Sequence, residues 1–96
     1  MELDFFGKFR IRESSEWEYE KALREVVTES RKEEGCLEIY AYRAKRDTGL
    51  FFIHSRWKDE EAFEAHARLP HTTKFLETVG KLEEEKMEGV RTERIC

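Results

Sequence analysis

The chain has 96 residues, 42% of them charged and 12% aromatic, and carries a net charge of −4. That length holds one domain, residues 1–96, with a modest core. Acids and bases are mixed along it without a basic stripe, which removes the electrostatic basis for nucleic-acid binding, and no apolar run reaches the roughly 18 residues that cross a membrane.

The first residues, Met-Glu-Leu-Asp, lack the basic-then-apolar order of a signal peptide, so a cytoplasmic protein is expected. Cys36 and Cys96 have no metal-binding spacing and read as one buried small hydrophobe and one terminal thiol rather than a disulfide.

Phe5 to Arg12 alternates, with Phe5, Gly7, Phe9 and Ile11 on an apolar face, and predicts a first strand. Gly7 leaves room above that face for a neighbouring side chain or a ligand. Ser14 and Ser15 are candidate caps for a helix running to about Glu34. Its inward stripe is read as Trp17, Leu23, Val26, Val27 and Ser30, with Gly35 as its stop.

Cys36 to Arg46 predicts a second strand, with Leu37, Ile39 and Ala41 on one face and Cys36, Glu38, Tyr40 and Tyr42 on the other. Apolar groups on both faces imply that both are covered, one by helices and one by a partner sheet. Arg46-Asp47-Thr48-Gly49 is a turn with Gly49 at the expected positive-φ position, and Leu50 to Trp57 completes a hairpin. In this third strand Phe51, Ile53, Ser55 and Trp57 face inward, while His54 and Arg56 face a dimer interface or solvent.

Asp59 opens a second helix whose inward stripe includes Phe63 and His66. Leu69-Pro70 interrupts it, and a further helical segment restarts at Pro70 with the stripe His71, Phe75, Leu76, Val79 and Leu82. Lys81 to Glu88 reads as charged and exposed, and Val90 to Ile95 as the last strand. Strand, helix, strand, strand, helix, strand is a ferredoxin-like α+β arrangement, a βαββαβ sandwich with its helices on one face of a four-stranded antiparallel sheet.

Inward polar groups need partners. Trp57 reads first as a core residue whose indole N–H needs one acceptor. His66 is equally a satisfied structural histidine or a base, and His71 either caps the break at Pro70 or touches substrate. The spacing of His66 and His71 is a weak metal signal, and no metal is expected.

Gly35-Cys36-Leu37, a strand ending in Trp57, the run Asp59-Glu60-Glu61-Ala62-Phe63-Glu64-Ala65-His66, and Pro70-His71 together resemble the antibiotic biosynthesis monooxygenase family over roughly Phe5 to Ile95. The resemblance implies a homodimer joined through its sheets as a dimeric α/β-barrel. It also implies a pocket between sheet and helices, and oxidation of small aromatic quinols or phenols by O₂ with no metal or flavin cofactor. By the expected register Gly7 is the first-strand residue opposite the tryptophan, where the haem-degrading and some cofactor-free members use asparagine, and Ser55 stands where many members carry glutamate, which argues against haem degradation.

The expected site therefore has His66 and His71 as candidate bases, with Trp57, Phe51, Phe63 and Phe75 lining a cavity that Gly7 and Ser55 enlarge. Its chemistry is proton abstraction by a histidine in a dry aromatic pocket. The alternative is a non-catalytic dimeric module that holds a small hydrophobic molecule.

Overall fold

A computed structural model describes residues 1–96. Four strands, β1 (Leu3–Ile11), β2 (Cys36–Arg43), β3 (Leu50–Trp57) and β4 (Glu83–Thr92), form one antiparallel sheet in the order β2-β3-β1-β4. Helices α1 (Glu16–Ser30), α2 (Glu60–Ala67) and α3 (Pro70–Leu82) supply the residues that pack on its inner face. This is the ferredoxin-like α+β fold. The sheet is open, with β2 and β4 as its edges.

The main core surrounds Tyr19, whose ring lies 4.7 Å from Phe51 and 5.8 Å from both Phe9 and Phe75. Tyr19, not Trp17, begins the buried stripe of α1, and Trp17 is exposed. Trp17 precedes Leu23 by six residues, about one and two-thirds turns, whereas Tyr19 precedes it by four and shares its face. The same geometry corrects α3. Thr72, Phe75, Val79 and Leu82 are buried, while Leu76, one residue off that line, is 43% exposed.

A bulge in β2 reverses the expected faces at its start. Cys36 pairs with Trp57, and the next register pair is Glu38 with Arg56. The extra residue between them, Leu37, turns outward, and Cys36 packs on the core. The strand also ends at Arg43, short of Arg46.

β4 begins at Glu83, seven residues earlier than Val90 and directly after α3. Its length is held by backbone pairing to β1, not by apolar alternation, so a charged run can occupy this edge. The pairing also places Leu3 opposite Trp57, while Gly7 lies between Ile53 and Gly89. Gly7 is therefore not the residue facing the tryptophan.

Two helix starts follow the sequence closely. The Asp59 carboxylate accepts from the Ala62 N–H at 2.8 Å as N-cap of α2. Pro70 occupies the first turn of α3 after an extended Leu69 (φ −73°, ψ 151°). Ser15 caps α1 by position but makes no side-chain cap bond.

The hairpin glycine, Gly49, does not have positive φ. Asp47 shapes the turn by accepting from the Gly49 N–H at 3.2 Å and binding Arg10 through both carboxylate oxygens.

α1 stops at Ser30, ahead of Gly35, and residues 31–35 form turns instead. Gly35 has a different task from the one expected. Its carbonyl accepts from the Lys58 N–H at 2.9 Å, and a Cβ on it would lie 2.5 Å from the Cβ of Ala62. This close approach seats the turn against the junction of β3 and α2, and so carries Glu33 toward His66.

The outer face of the sheet has no helix over it. Phe6, Tyr40, Tyr42, Phe52 and Val90 are exposed there. Buried Asp4 lies among them, its Oδ1 accepting from His54 at 2.7 Å and from Arg56 at 3.0 Å. Arg56 also reaches Glu38 at 2.7 Å. Burial raises the Asp4 carboxyl, but the hydrogen bonds from His54 and Arg56 outweigh it and hold the group below its ordinary value.

Candidate active site

Alternation along β3 sends Trp57 inward at the sheet end where Leu3, Trp57 and Phe63 form a second, smaller cluster. Trp57 is fully buried, and its indole N–H donates to Ser55 Oγ at 2.9 Å. Ser55 lies two residues earlier on the same face and is the acceptor that the indole requires. Ser55→Ala would leave a buried donor unsatisfied. We expect it to cost about 1–3 kcal/mol in urea denaturation.

The α2 periodicity places Phe63 and His66 over this tryptophan. The His66 ring centre is 4.4 Å from that of Trp57, and Phe63 meets Trp57 edge-on at 5.9 Å. His66 Nδ1 is 2.8 Å from Glu33 Oε2, and His71 Nε2, from the first turn of α3, is 2.6 Å from the same oxygen. Thr72 Oγ1 lies 3.4 Å from His66 Nδ1.

A carboxylate accepts only, so in this arrangement both contacting nitrogens carry hydrogen. For a neutral His66 that fixes the tautomer, leaving Nε2 unprotonated while the ring's contacts to Glu33 and Thr72 run through Nδ1. The result is a histidine oriented by a carboxylate and packed against an indole at a tilt of 36°.

Burial lowers the pKa of His66 from its ordinary 6.5, and the Glu33 hydrogen bond and charge oppose that effect without overcoming it. The unfolded chain therefore takes up this proton at higher pH than the fold does. The stability gained by keeping His66 neutral is present above about 6.5 and is lost as pH falls toward its lower folded value. Urea unfolding over a pH series should show this slope, and His66→Gln should flatten it.

The expected site residues divide into groups. Trp57, Ser55, Phe63, His66 and His71 come together. Phe51 and Phe75 belong to the larger core around Tyr19, although Phe75 also borders a recess of about 20 Å³ beside His71. Over Gly7 the space is taken: a Cβ there would lie 2.9 Å from the Phe9 ring and 3.2 Å from the Phe5 ring.

A larger recess of about 330 Å³ lies between α1 and β2. Leu23, Val27 and Phe51 line it together with Arg24, Arg31 and Arg43.

Glu33 is the residue that sequence reasoning missed. It sits in Arg31-Lys32-Glu33-Glu34, a run that looks like solvated helix surface. The only signal for it is indirect: two inward histidines need an acceptor.

The sequence profile for antibiotic biosynthesis monooxygenase matches residues 6–78. The chain belongs to that family. Among curated proteins none matches it. Solved structures are similar over nearly the whole chain. Rv0793 from Mycobacterium tuberculosis superposes with a TM-score of 0.94 at 20% identity, covering 100% of this chain and 97% of its own. PA3566 from Pseudomonas aeruginosa gives 0.91 at 24% identity, covering 99% and 95%. A variant of SnoaB, a cofactor-independent oxygenase from Streptomyces nogalater, gives 0.86 at 15% identity, covering 97% and 92%. At these identities the likeness establishes the fold, and the family rests on the profile. No helix of this monooxygenase-family chain is long and apolar enough to cross a membrane.

Proposed function

We propose that this chain is a cofactor-independent monooxygenase that oxidises a small aromatic quinol or phenol with O₂, using His66 as its base. The observation that carries the reading is the Glu33–His66 pair against Trp57 in a chain of this family. Glu33 holds the Nδ1 hydrogen, and Nε2 takes the proton from the substrate hydroxyl. The phenolate is then electron-rich enough to reduce O₂. One oxygen atom becomes a ring carbonyl and the other leaves as water, with the substrate supplying all four electrons, so no outside reductant is needed.

His71 bonds the same carboxylate oxygen and positions it, and is a second candidate base. Trp57 and Phe63 form the aromatic wall, with Ser55 fixing the indole. Substrate entry requires α2 to move. This eight-residue helix buries only Phe63 and His66, and Arg91 of β4 ties it through exposed ion pairs to Glu60 and Glu64, which contribute little stability.

The proposal includes a homodimer joined through the outer sheet faces, which would cover Phe6, Tyr40, Tyr42 and Phe52 and enclose the Asp4–His54–Arg56 group. Sedimentation should give twice the chain mass, and a monomer at micromolar concentration would remove this part. Oxygen uptake with a panel of quinols in chelator-treated buffer tests the activity. Uptake by the wild-type chain is expected, and none with any substrate would overturn the reading.

The second reading, a non-catalytic dimeric module for a small hydrophobic molecule, is favoured by the recess between α1 and β2. It has an apolar floor and a rim of Arg24, Arg31 and Arg43, two of which, Arg24 and Arg43, pair with Glu20 on the same rim, and it lies away from the histidines. It predicts that aromatic carboxylates raise the melting temperature without chemistry.

A further inference from the structure

We propose that Glu33, His66 and His71 form a binding site for a divalent transition-metal cation of the zinc class. Three segments deliver one ligand each: the turn after α1, helix α2 and the first turn of α3. The ligating atoms lie within 4.8 Å of one another, with Glu33 Oε2 at 2.8 Å from His66 Nδ1 and 2.6 Å from His71 Nε2. Two imidazole nitrogens and a carboxylate oxygen are a donor set that borderline cations take in three-ligand sites.

The charge balance supports the assignment independently. The Glu33 side chain is only 13% exposed, and no lysine or arginine pairs with it. Its partners are the two histidines. A partly buried carboxylate without a fixed cation is a place where a divalent ion gains more than at the solvated surface.

Metal–ligand bonds of about 2.0–2.2 Å place tetrahedral ligands roughly 3.4 Å apart, so the Glu33 oxygen has to draw back from the present 2.8 Å and 2.6 Å to both nitrogens, by about 0.6–0.8 Å in each distance. It stands in a turn, which permits this. The His71 side chain is 20% exposed and marks the open side.

Binding exchanges hydrogen for metal. On each neutral imidazole the proton at the contacting nitrogen moves to the other ring nitrogen, and the vacated lone pair ligates. On His66 the proton thereby arrives at Nε2, the atom that the proposed oxidation uses as its base. A bound cation and an active base exclude each other, so the cation acts as a brake on the site. The braking effect rests on the oxidation proposed above, whereas the binding does not.

Titration of the wild-type chain with Co(II), without substrate, tests the binding. The expected result is visible absorption of four-coordinate Co(II) that stoichiometric zinc abolishes. Zinc should also move the imidazole ¹⁵N resonances of His66 Nδ1 and His71 Nε2. Glu33→Gln should weaken Co(II) by more than about 100-fold, beyond the 10–100-fold cost of losing an outer-shell partner. Cys96→Ser and His54→Asn should bind as the wild type does.

If zinc at millimolar concentration leaves both imidazoles unmoved, or if Cys96→Ser abolishes binding, the site is overturned. Should Glu33→Gln fail to fold, the wild-type imidazole shifts decide alone. In parallel, zinc should slow quinol oxidation and a chelator restore it. Binding without any oxidation would sink the activity and leave the metal site standing.

Discussion

His66→Gln should lower kcat/KM for quinol oxidation by about 10²–10⁴-fold, the usual contribution of a positioned general base. Glutamine keeps much of the volume and an amide N–H that can still donate to Glu33, so the loss reports the missing basic nitrogen rather than a collapsed site. Most of the change should fall on kcat, because His66 acts on the proton as it leaves. Glu33→Gln should cost less, since the imidazole remains but its tautomer and orientation are no longer fixed. His71→Gln should cost least. Single-turnover measurements with the best quinol of the panel, alongside circular dichroism to confirm folding, check this order. Equal losses in all three would mean that the carboxylate and histidines act only as a structural unit.

Trp57→Ala should destabilise the chain by about 3–5 kcal/mol, the range for removing a buried aromatic. Trp57 is 0% exposed and is the largest fully buried side chain. It backs Leu3 across β1, Cys36 across the bulge, and Phe63 and His66 on α2. Domains of this size have only about 5–15 kcal/mol to lose, so the alanine variant should be partly unfolded at physiological temperature. Trp57→Phe should retain most of the stability and lose chiefly the indole hydrogen bond to Ser55. Urea midpoints for the two variants measure the difference, and a loss below about 1 kcal/mol for the alanine variant would show that the cluster is loosely packed.

These two residues also mark how far the sequence could be read. The alternation of Phe51, Ile53, Ser55 and Trp57 and the placement of Phe63 and His66 were legible because period two and period 3.6 are local properties. The caps at Asp59 and Pro70 were legible for the same reason. The bulge at Leu37 was not, because an extra residue changes which side of the pattern faces inward without changing the pattern. β4 was missed where pairing to β1 overrides a run of glutamates. Tyr19 was missed because the bulkier Trp17 took the stripe position that four-residue spacing assigns to tyrosine.

The site was half legible. His66, His71 and Trp57 announce themselves as inward-facing residues with polar atoms. Glu33 does not, since it is 33 residues from His66 in sequence and is brought there by the approach of Gly35 to Ala62. The space over Gly7 was misleading in the opposite sense: Phe5 and Phe9 on its own strand fold back to fill it.

The pH dependence of kcat/KM tests the central claim, that His66 held by Glu33 is the base. The account predicts a rate that rises through one ionisation below the ordinary histidine value of 6.5 and is level through neutrality. In Glu33→Gln that ionisation should move to lower pH, because the carboxylate no longer favours the protonated ring. A rate that instead climbs toward the phenol's own ionisation near about 10, unchanged by Glu33→Gln or His66→Gln, would contradict it.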